Sequence, residues 1–275
     1  MCRCSLILMQ LHSMLFEKQK IQKCFNKAAV TYDQAATLQH QTGEALLAKL
    51  PAVLAPSYIL DIGSGTGYCT HLLAQQYPEA NIIGLDFSDQ MLAVAKQKMR
   101  PQEHYLCADF DGLPLMDASI DLIYSNFSFQ WSLNLAETLR AAYAVLKHHG
   151  YMVFSTLGPK TLYELREASG QIDAAAHLND FLSMMAVQDH LQASGFKIIA
   201  LNSHEHTLIF DDLFELIYNL KKIGANHVIN KDIEGLGHKH YFEQLIKNYQ
   251  AFKINEQLPA TYDIIFGVVQ KCDIL

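Results

Sequence analysis

Short apolar runs alternate with segments of helical periodicity between residues 58 and 156. The apolar runs are typical of buried strands in a parallel sheet. They cover 58–62, 81–86, 104–109, 120–125 and 151–156. The helical patterns between them cover 68–76, 89–99 and 136–147. Strands that alternate with helices predict right-handed crossovers, and therefore an α/β fold with a doubly wound, mostly parallel sheet.

The segments on either side of this region have less regular patterns. Residues 17–50 predict helix, which Pro51 and Pro56 end. Helical patterns also cover 160–168, 186–194 and 212–223, a long strand or hairpin arm covers 196–209, and a last strand covers 261–269. We expect a helical lid, formed near 158–190 and 211–257, over the ligand-binding end of the sheet.

Composition and charge limit the class of protein. The chain has 275 residues, half of them hydrophobic and 18% charged, so it can form one large folded domain. Its net charge of −7 disfavours a nucleic-acid-binding surface. It has no apolar run long enough for a transmembrane helix, so no membrane association is expected. Its six cysteines are scattered, so they fit free thiols in a reducing cytoplasm, and their spacing does not suggest a zinc site. We expect an N-terminal extension at 1–16 and one domain at 17–275.

A glycine cluster after the first strand is the strongest motif. The segment Asp61-Ile-Gly-Ser-Gly-Thr-Gly67 lies between a predicted strand and a predicted helix, where glycines let a ligand approach the backbone. It does not fit the dinucleotide pattern GxGxxG, because Tyr68 stands at the third glycine position, and no phosphate-binding GK[ST] follows. The carboxylate of Asp61 would repel a phosphate. It suits a ligand with a cation there, such as an amino-acid ammonium.

Two further acids follow the next two strands. Asp86 can accept hydrogen bonds from two ribose hydroxyls, and Asp109 can accept one from an exocyclic adenine amine. Phe87, Met91 and Phe110 could enclose a purine, although each could equally be a core residue. Ligands of doubly wound sheets bind at the carboxyl ends of the strands, so these three acids are expected at one site.

This set of residues resembles the class I S-adenosylmethionine-dependent methyltransferases. The resemblance covers about 45–270 and implies a seven-stranded sheet with an antiparallel last strand, which suits 261–269. It implies S-adenosylmethionine as the methyl donor and no metal. The cofactor-binding residues that we predict are Asp61, Gly63, Ser64, Gly65, Gly67, Asp86, Phe87, Met91, Asp109, Phe110 and Asn126.

Several other segments resemble one subgroup, the malonyl-acyl-carrier-protein O-methyltransferases of biotin synthesis. They are 25–33, 38–41, 125–131, 154–158, 162–165 and 220–227. The resemblance implies that the chain esterifies the free carboxylate of a malonyl thioester, so that fatty-acid elongation can extend it. The sequence departs from the family at His148-His149-Gly150, where many members have Pro-Gly-Gly. That change affects a loop and leaves the predicted chemistry unaltered.

The residues that hold the acceptor are harder to assign. A carboxylate acceptor is already an anion at neutral pH, so we name no general base. The candidates for positioning it are Tyr32, His40, Gln130, Trp131, Lys160, Lys221 and His227. Each of them has a competing role, either in packing or on a solvated surface.

A basic stretch gives an expectation about the protein partner. Residues 221–253 contain six lysines and three acids, a local charge of +3 in an acidic chain. Acyl carrier proteins are acidic, so a basic face could attract one. The expected docking residues are Lys221, Lys222, Lys231 and Lys239, and we expect a monomer. A solvated helical surface would explain the same lysines.

Two other functions remain open from the sequence. One is methylation of a different small molecule, either an aconitate-like carboxylate or a quinone-type carbon. The other is a non-catalytic protein that binds the cofactor, which the intact glycine loop and Asp86 argue against. Methylation of nucleic-acid amino groups is disfavoured, because Asn126 is followed by Phe-Ser-Phe and not by Pro-Pro-Tyr.

Overall fold

The computed structural model describes residues 3–172, 181–225 and 237–272, and for 3–15 and 237–238 it describes the backbone alone. These residues form one sheet with the strand order β3-β2-β1-β4-β5-β7-β6. The strands are β1 (Tyr58–Ile62), β2 (Asn81–Asp86), β3 (Glu103–Cys107), β4 (Ile120–Asn126), β5 (Leu146–Leu157), β6 (Phe196–Phe210) and β7 (Leu258–Lys271).

The pairing of the strands confirms the predicted fold class. β1 pairs in parallel with β2 and β4, β2 with β3, and β4 with β5. β7 is antiparallel to both of its neighbours, β5 and β6. The described residues therefore form a seven-stranded, mostly parallel, doubly wound sheet. The strand order reverses at β1 and β4, whose carboxyl ends carry the glycine loop and Asn126.

Helices lie on both faces of the sheet. They are α1 (Arg3–Ala28), α2 (Tyr32–Ala35), α3 (Thr37–Leu47), α4 (Tyr68–Gln76), α5 (Asp89–Lys96), α6 (Leu135–Val145), α7 (Tyr163–Gly170), α8 (Met184–Ala193), α9 (Leu213–Lys222) and α10 (Gly237–Tyr249). No helix in the described parts of the chain is long and apolar enough to cross a membrane.

The N-terminal region is divided into more helices than its pattern predicts. The expected helix over 17–50 is interrupted after Ala28, where the backbone N–H of Thr31 donates to the Ala28 carbonyl at 2.9 Å. The Thr31 hydroxyl donates to the same carbonyl at 3.1 Å, so this turn ends α1. The backbone of α1 continues through the predicted boundary between 16 and 17. The status of 1–16 as an extension stays a prediction.

Several other element boundaries differ from the predicted ones, and two of the differences have a local explanation. β5 begins at Leu146 and not at 151, because Leu146 already pairs with Ile120, ahead of a register shift that leads to the pair of Leu122 and Tyr151. α7 begins at Tyr163 and not at 160, because Leu162 has left-handed backbone angles (φ 53°, ψ 34°) and donates its N–H to the Thr261 carbonyl at 2.6 Å. Local contacts with distant strands decide both boundaries.

Two apolar clusters hold the helices on the sheet. Side chains on neighbouring positions of a strand point to opposite faces, so Ile59 belongs to one cluster and Leu60 to the other. The first cluster includes buried residues of α3, α4, α7, α9 and α10, and the second includes those of α6 and α8. Each fully buried leucine contributes about 1.5–3 kcal/mol of burial free energy, so this core fixes the strand ends that carry the site.

Candidate active site

The glycine loop has the backbone geometry that its sequence predicts. Gly63, Gly65 and Gly67 all have positive φ angles, of 70°, 54° and 84°. The backbone N–H groups of Gly63 and Ser64 donate to the Leu85 carbonyl at 2.7 and 3.0 Å, which fixes the loop to the end of β2. A Cβ atom on Gly63 would lie 2.0 Å from the Ser128 hydroxyl oxygen, whereas one on Gly65 would meet nothing within 4 Å. Gly65 therefore faces open space.

Asp86 fastens the loop to the start of α5. One carboxylate oxygen accepts from the Gly65 N–H at 3.0 Å, and the other accepts from the Ser88 N–H at 2.8 Å. Burial raises the pKa of Asp86 to about 6, even though these N–H donors favour its charged form. Asp86 is only 7% exposed, and it is one of the residues that line a cavity beside the loop.

Asp61 is the most deeply buried acid of the loop. It is 1% exposed and accepts one hydrogen bond, from the Thr70 hydroxyl at 2.6 Å. Burial, together with the nearby charge of Asp86, raises its pKa to about 7, although the Thr70 hydrogen bond acts in the opposite direction. A cation bound next to Asp61 would favour its ionised form, so this position suits a positively charged ligand group.

Two cavities meet at the glycine loop. The first, which we call the aromatic cavity, extends from the loop over the start of α5. It is lined by Phe25, Tyr32, Gly63, Gly65, Asp86, Phe87, Met91, Phe110, Asn126, Phe127, Ser128 and Trp131. The second, the loop cavity, lies on the side of α3. It is lined by Tyr32, Gln39, His40, Asp61, Gly63, Ser64, Gly65, Thr66, Tyr68, Cys69 and Asn126.

Most of the predicted cofactor residues line these two cavities. Gly67 and Asp109 are absent from both linings. A Cβ atom on Gly67 would lie 2.7 Å from the Tyr105 hydroxyl, so Gly67 is required for close packing behind the loop. The carboxylate of Asp109 bonds the ammonium of Lys18 and the Asp111 N–H. A contact between Asp109 and a purine stays a prediction.

A third cavity, which we call the apolar cavity, adjoins the aromatic cavity. The two share Phe25, Tyr32, Phe127 and Trp131. Its other walls include residues of α9, residues of the segment before α7, and Gln39 and Gln130. The other lining residues are Leu38, Leu157, Thr161, Leu162, Phe181, Leu220, Ile223, Ala225 and Tyr262. Any group bound here would lie next to the aromatic cavity.

Some of the predicted acceptor residues line the cavities and others do not. Tyr32, Gln130 and Trp131 line the apolar cavity, and Tyr32 and His40 line the loop cavity. Lys160 is exposed and paired with Glu205. Lys221 is also exposed, and His227 lies outside the described residues, as does Lys231 of the expected docking face. No described lysine or arginine lines the apolar cavity.

Sequence reasoning missed the contribution of α1 to the site. Phe25 lines two of the cavities, and its ring lies edge-on to Trp131 with the centroids 5.4 Å apart. The Gln22 amide donates to the Phe87 carbonyl at 2.6 Å. Lys18, Gln22 and Phe25 recur at helical spacing, so their common face could have been noticed. The residues that this face contacts are distant in the sequence, so the pattern of α1 alone does not predict them.

The described residues contain no group of three or more histidine, cysteine, aspartate and glutamate side chains that could hold a metal ion. The expectation that the chemistry uses no metal stays a prediction.

The sequence is similar to a methyltransferase family model and to proteins of one named function. Residues 60–154 match the family described as "Methyltransferase domain". The chain is 36% identical over 262 residues to a malonyl-[acyl-carrier protein] O-methyltransferase of Methylovorus sp. strain MP688, covering 92% of this chain and 88% of that protein. It is 34% identical to the protein of the same name from Gallionella capsiferriformans, covering 94% and 92%.

Two other comparisons are with a bifunctional protein and with a solved structure. The chain is 34% identical to the biotin biosynthesis bifunctional protein BioHC of Cellvibrio japonicus, of which it covers half. An S-adenosylmethionine-dependent methyltransferase from Mesorhizobium loti has a similar structure, with a TM-score of 0.52, 20% identity and coverage of 82% and 96%. At that identity the likeness shows the fold alone.

Proposed function

The chain belongs to the malonyl-[acyl-carrier protein] O-methyltransferase family, and from this membership we propose that it methylates the free carboxylate of a malonyl thioester. The methyl donor is S-adenosylmethionine, and the acceptor is malonyl-acyl carrier protein. The methyl ester then primes the synthesis of the pimeloyl chain of biotin. One observation supports this function most directly: the loop, aromatic and apolar cavities adjoin one another along shared walls.

The residues of the loop and aromatic cavities fit the cofactor. The buried carboxylate of Asp61 suits the methionine ammonium, and Asp86, which lines the aromatic cavity, suits the ribose hydroxyls. Phe87, Met91 and Phe110 form apolar walls for the purine. When bound, S-adenosylmethionine supplies a methyl group on a positively charged sulfur. The protein's task is to hold the acceptor oxygen in line with that methyl group.

The apolar cavity suits an acceptor carboxylate held by neutral donors. Its polar side chains include Tyr32, Gln39, Gln130 and Thr161, and none of them is cationic. Burial is the largest of several causes that raise the pKa of Tyr32 well above its ordinary value, so its hydroxyl stays protonated and can donate. Neutral donors can bind a carboxylate without forming an ion pair. An ion pair would withdraw electron density from the oxygen that attacks the methyl group. This arrangement preserves the nucleophilicity of the acceptor oxygen.

A transfer assay tests this function. The protein is incubated with methyl-labelled S-adenosylmethionine and, separately, with malonyl-acyl carrier protein, malonyl-CoA, trans-aconitate and a quinone precursor. We expect label in an ester of the malonyl thioester, which mild base releases as methanol. Label on aconitate or on a quinone carbon, with none on either malonyl thioester, would contradict the proposal. Cofactor binding without transfer to any acceptor would support a non-catalytic role.

The outer face of α9 is the docking surface that we propose for the carrier protein. Phe214 and Tyr218 are 60% and 58% exposed there. Lys221 and Lys222 follow on the same face, and the Lys222 ammonium lies 4.4 Å from the centroid of the Tyr218 ring. Exposed aromatic rings flanked by lysines complement an acidic protein with apolar side chains. We call these four residues the α9 surface.

The opposite face of α9 supports this location. Leu220 is buried and lines the apolar cavity, and Ile223 directly after the helix does the same. One helix therefore contributes both to the proposed acceptor cavity and to the α9 surface. Lys239, on α10, is exposed and lies 3.9 Å from Glu243, so its charge is partly balanced. Lys221 and Lys222 carry more of the proposed attraction.

Charge reversal tests the α9 surface. The double variant Lys221→Glu/Lys222→Glu should raise the KM for malonyl-acyl carrier protein about tenfold at low salt, and less at 0.5 M salt, where screening is stronger. The KM for malonyl-CoA should change much less. The control is Lys96→Glu/Lys197→Glu, which makes the same change in net charge at exposed positions of α5 and β6. Equal effects of the two double variants would place docking elsewhere.

Three further parts of the proposal concern the whole protein. We place it in the cytoplasm, in keeping with the described free thiols of Cys24, Cys69, Cys107 and Cys272. We propose that it acts as a monomer, which sedimentation equilibrium would test. We also propose that the helices near 158–190 and 211–257 act as a lid, supported by the contribution of Leu220 to the apolar cavity.

A further inference from the structure

A cavity of about 500 Å³ adjoins the apolar cavity, and we call it the wide cavity. The two cavities share the side chains of Gln130, Trp131, Leu157 and Phe181. The apolar cavity has only about 60 Å³, so it has room for a short acyl group. The wide cavity is within the range of about 300–1,000 Å³ that is usual for binding sites of small organic molecules. An acceptor longer than its acyl group can therefore continue past the shared side chains.

The wide cavity leads from solvent to these shared side chains. It lies between the first turn of α6, which contributes Ala136, and one side of α8, which contributes Val187 and His190. Two other lining residues, Asn134 and Leu182, are exposed, so the cavity opens to solvent beside them. A ligand whose head occupies the apolar cavity can thus extend through the wide cavity to the surface.

The polar side chains of the wide cavity are mostly neutral. The side-chain oxygen of Asn134 caps α6 by accepting from the Glu137 N–H at 3.3 Å, which leaves the NH₂ group of its amide for a ligand. The Thr156 hydroxyl donates to the amide oxygen of Gln130 at 3.4 Å and can still accept a hydrogen bond. No described lysine or arginine lines the cavity, and its one described acid is Glu17. This lining suits an uncharged ligand with amide groups and offers no cation to a phosphate.

The junction between the two cavities is held in place. The Gln130 amide donates to the Phe127 carbonyl at 2.7 Å while its oxygen accepts from Thr156. The Trp131 ring lies edge-on to the ring of Phe25, with the centroids 5.4 Å apart. A ligand that passes this junction therefore meets fixed side chains, which determine how far its head reaches into the apolar cavity.

We propose that the wide cavity binds the pantetheine arm that carries the malonyl group. This inference rests on the proposed function for the identity of the acceptor. Without its phosphate, the arm is a linear, uncharged chain with two amides, a hydroxyl and two methyl groups on one carbon, and its sulfur carries the malonyl group. With that group in the apolar cavity, the sulfur lies at the junction and the two amides extend past Asn134. The phosphate lies outside the cavity, with the carrier protein.

Two acceptors that differ only in the length of the arm test the proposal. Malonyl-pantetheine contains the whole arm without its phosphate, and malonyl-N-acetylcysteamine ends after the first amide. Ala136→Trp fills the wide cavity from the first turn of α6, so it should raise the KM for malonyl-pantetheine about tenfold and that for malonyl-N-acetylcysteamine less than twofold. Asn134→Asp keeps the helix cap and removes the amide donor, and it should raise the KM for malonyl-pantetheine about threefold.

The matched control is Gln188→Trp, which places the same ring at an exposed position of α8 that does not line the cavity. It should change neither KM by more than twofold. Neither acceptor contains a carrier protein, so the result does not depend on the α9 surface. If Ala136→Trp affected both acceptors equally, or affected neither, the inference would be overturned.

Binding of the arm without a malonyl group separates this inference from the proposed function. Titration calorimetry is carried out with S-methylpantetheine and protein saturated with S-adenosylhomocysteine. The unaltered protein and Gln188→Trp should bind this probe equally, and Ala136→Trp should bind it about tenfold more weakly. That pattern in a protein that methylates no malonyl thioester would contradict the proposed function and leave the inference standing. Methylation of both malonyl thioesters by a protein that does not bind the probe would overturn the inference and leave the proposed function standing.

Discussion

The ammonium of Lys18 on α1 lies 2.6 Å from a carboxylate oxygen of Asp111, which follows β3. The same ammonium pairs with Asp109 and lies 4.8 Å from the centroid of the Phe110 ring, a wall of the aromatic cavity. The Lys18 side chain is only 9% exposed. One buried cation thus connects the first helix with the end of the sheet where the purine is proposed to bind.

We predict that Lys18→Met loosens this connection. The variant leaves two acids without their cation, and Asp111 is largely shielded from water. Removing one partner of a fully buried pair costs about 3–5 kcal/mol, and because Asp109 is 44% exposed we expect about 1–3 kcal/mol here. Urea unfolding should show this loss of stability, and hydrogen exchange should be faster in α1. Lys20→Met is the control, since Lys20 pairs at the surface with Glu17 at 3.5 Å, and it should change stability by less than about 0.5 kcal/mol.

The ion pairs of Lys18 also show where sequence reasoning stops. The glycine loop and Asp86 were predictable, because a strand, a turn and a helix set them within a few residues of each other. Lys18 and Asp109 are 91 positions apart, and no periodicity connects them. The same applies to His40: its position on a helix is predictable, but its place in the lining of the loop cavity depends on how α3 packs. Lys160 is a candidate for positioning the acceptor only because of its charge. Its partner Glu205 lies on β6, so the sequence could not show that this charge is paired.

Gly63→Ala should abolish the loop geometry. A methyl group there would lie 2.0 Å from the Ser128 hydroxyl oxygen, and φ of 70° is unfavourable for alanine by about 1–2 kcal/mol. Since Ser128 also donates to the Ile62 carbonyl at 2.9 Å, it cannot move without breaking that bond. We expect a loss of stability of about 2–4 kcal/mol in thermal unfolding and at least tenfold weaker cofactor binding.

Gly170→Ala is the matched control for Gly63→Ala. Gly170 is in the last turn of α7, and a Cβ atom there would meet nothing within 4 Å. Because alanine favours helix more than glycine does, this variant should be neutral or more stable by up to about 1 kcal/mol. If Gly63→Ala were equally harmless, the close approach between the loop and Ser128 would not be required for binding.

Cofactor affinity should depend on pH through Asp61. Burial, helped by the charge of Asp86, raises the pKa of Asp61 to about 7, so the free protein holds a proton there at pH 5.5. The cofactor ammonium favours the ionised carboxylate, and binding must then release that proton. Affinity should therefore rise between pH 5.5 and 7, by up to about tenfold per unit, and level off above that range.

Asp61→Asn tests this assignment, because it removes the titrating group and keeps a similar shape. Its affinity for the cofactor should be lower at pH 7 and should vary much less between pH 5.5 and 7. Asp86→Asn provides a comparison: because the pKa of Asp86 is raised to about 6, this variant should lose part of the pH dependence in the lower half of the range and keep the part near pH 7 that belongs to Asp61. A wild-type affinity that is constant over the whole range would show that the ammonium does not bind beside Asp61.

Gln130→Leu should weaken acceptor binding and leave cofactor binding unchanged. Gln130 lies between the apolar cavity and a neighbouring cavity of about 500 Å³, lined also by Thr156, Asn134 and His190. Its amide donates to the Phe127 carbonyl at 2.7 Å, which leaves a second N–H for a ligand. Leucine has a similar volume and no donor, so we expect about a tenfold increase in the KM for malonyl-acyl carrier protein.

Two further variants show whether neutral donors hold the acceptor carboxylate. Gln130→Glu places a negative charge beside it and should raise the KM further than Gln130→Leu does. Lys160→Met removes a cation that is exposed and paired with Glu205, and it should change the KM less than twofold. If Lys160→Met raised the KM as much as Gln130→Leu, the carboxylate would be held by an ion pair. The lysine would then have to leave Glu205 when the acceptor binds.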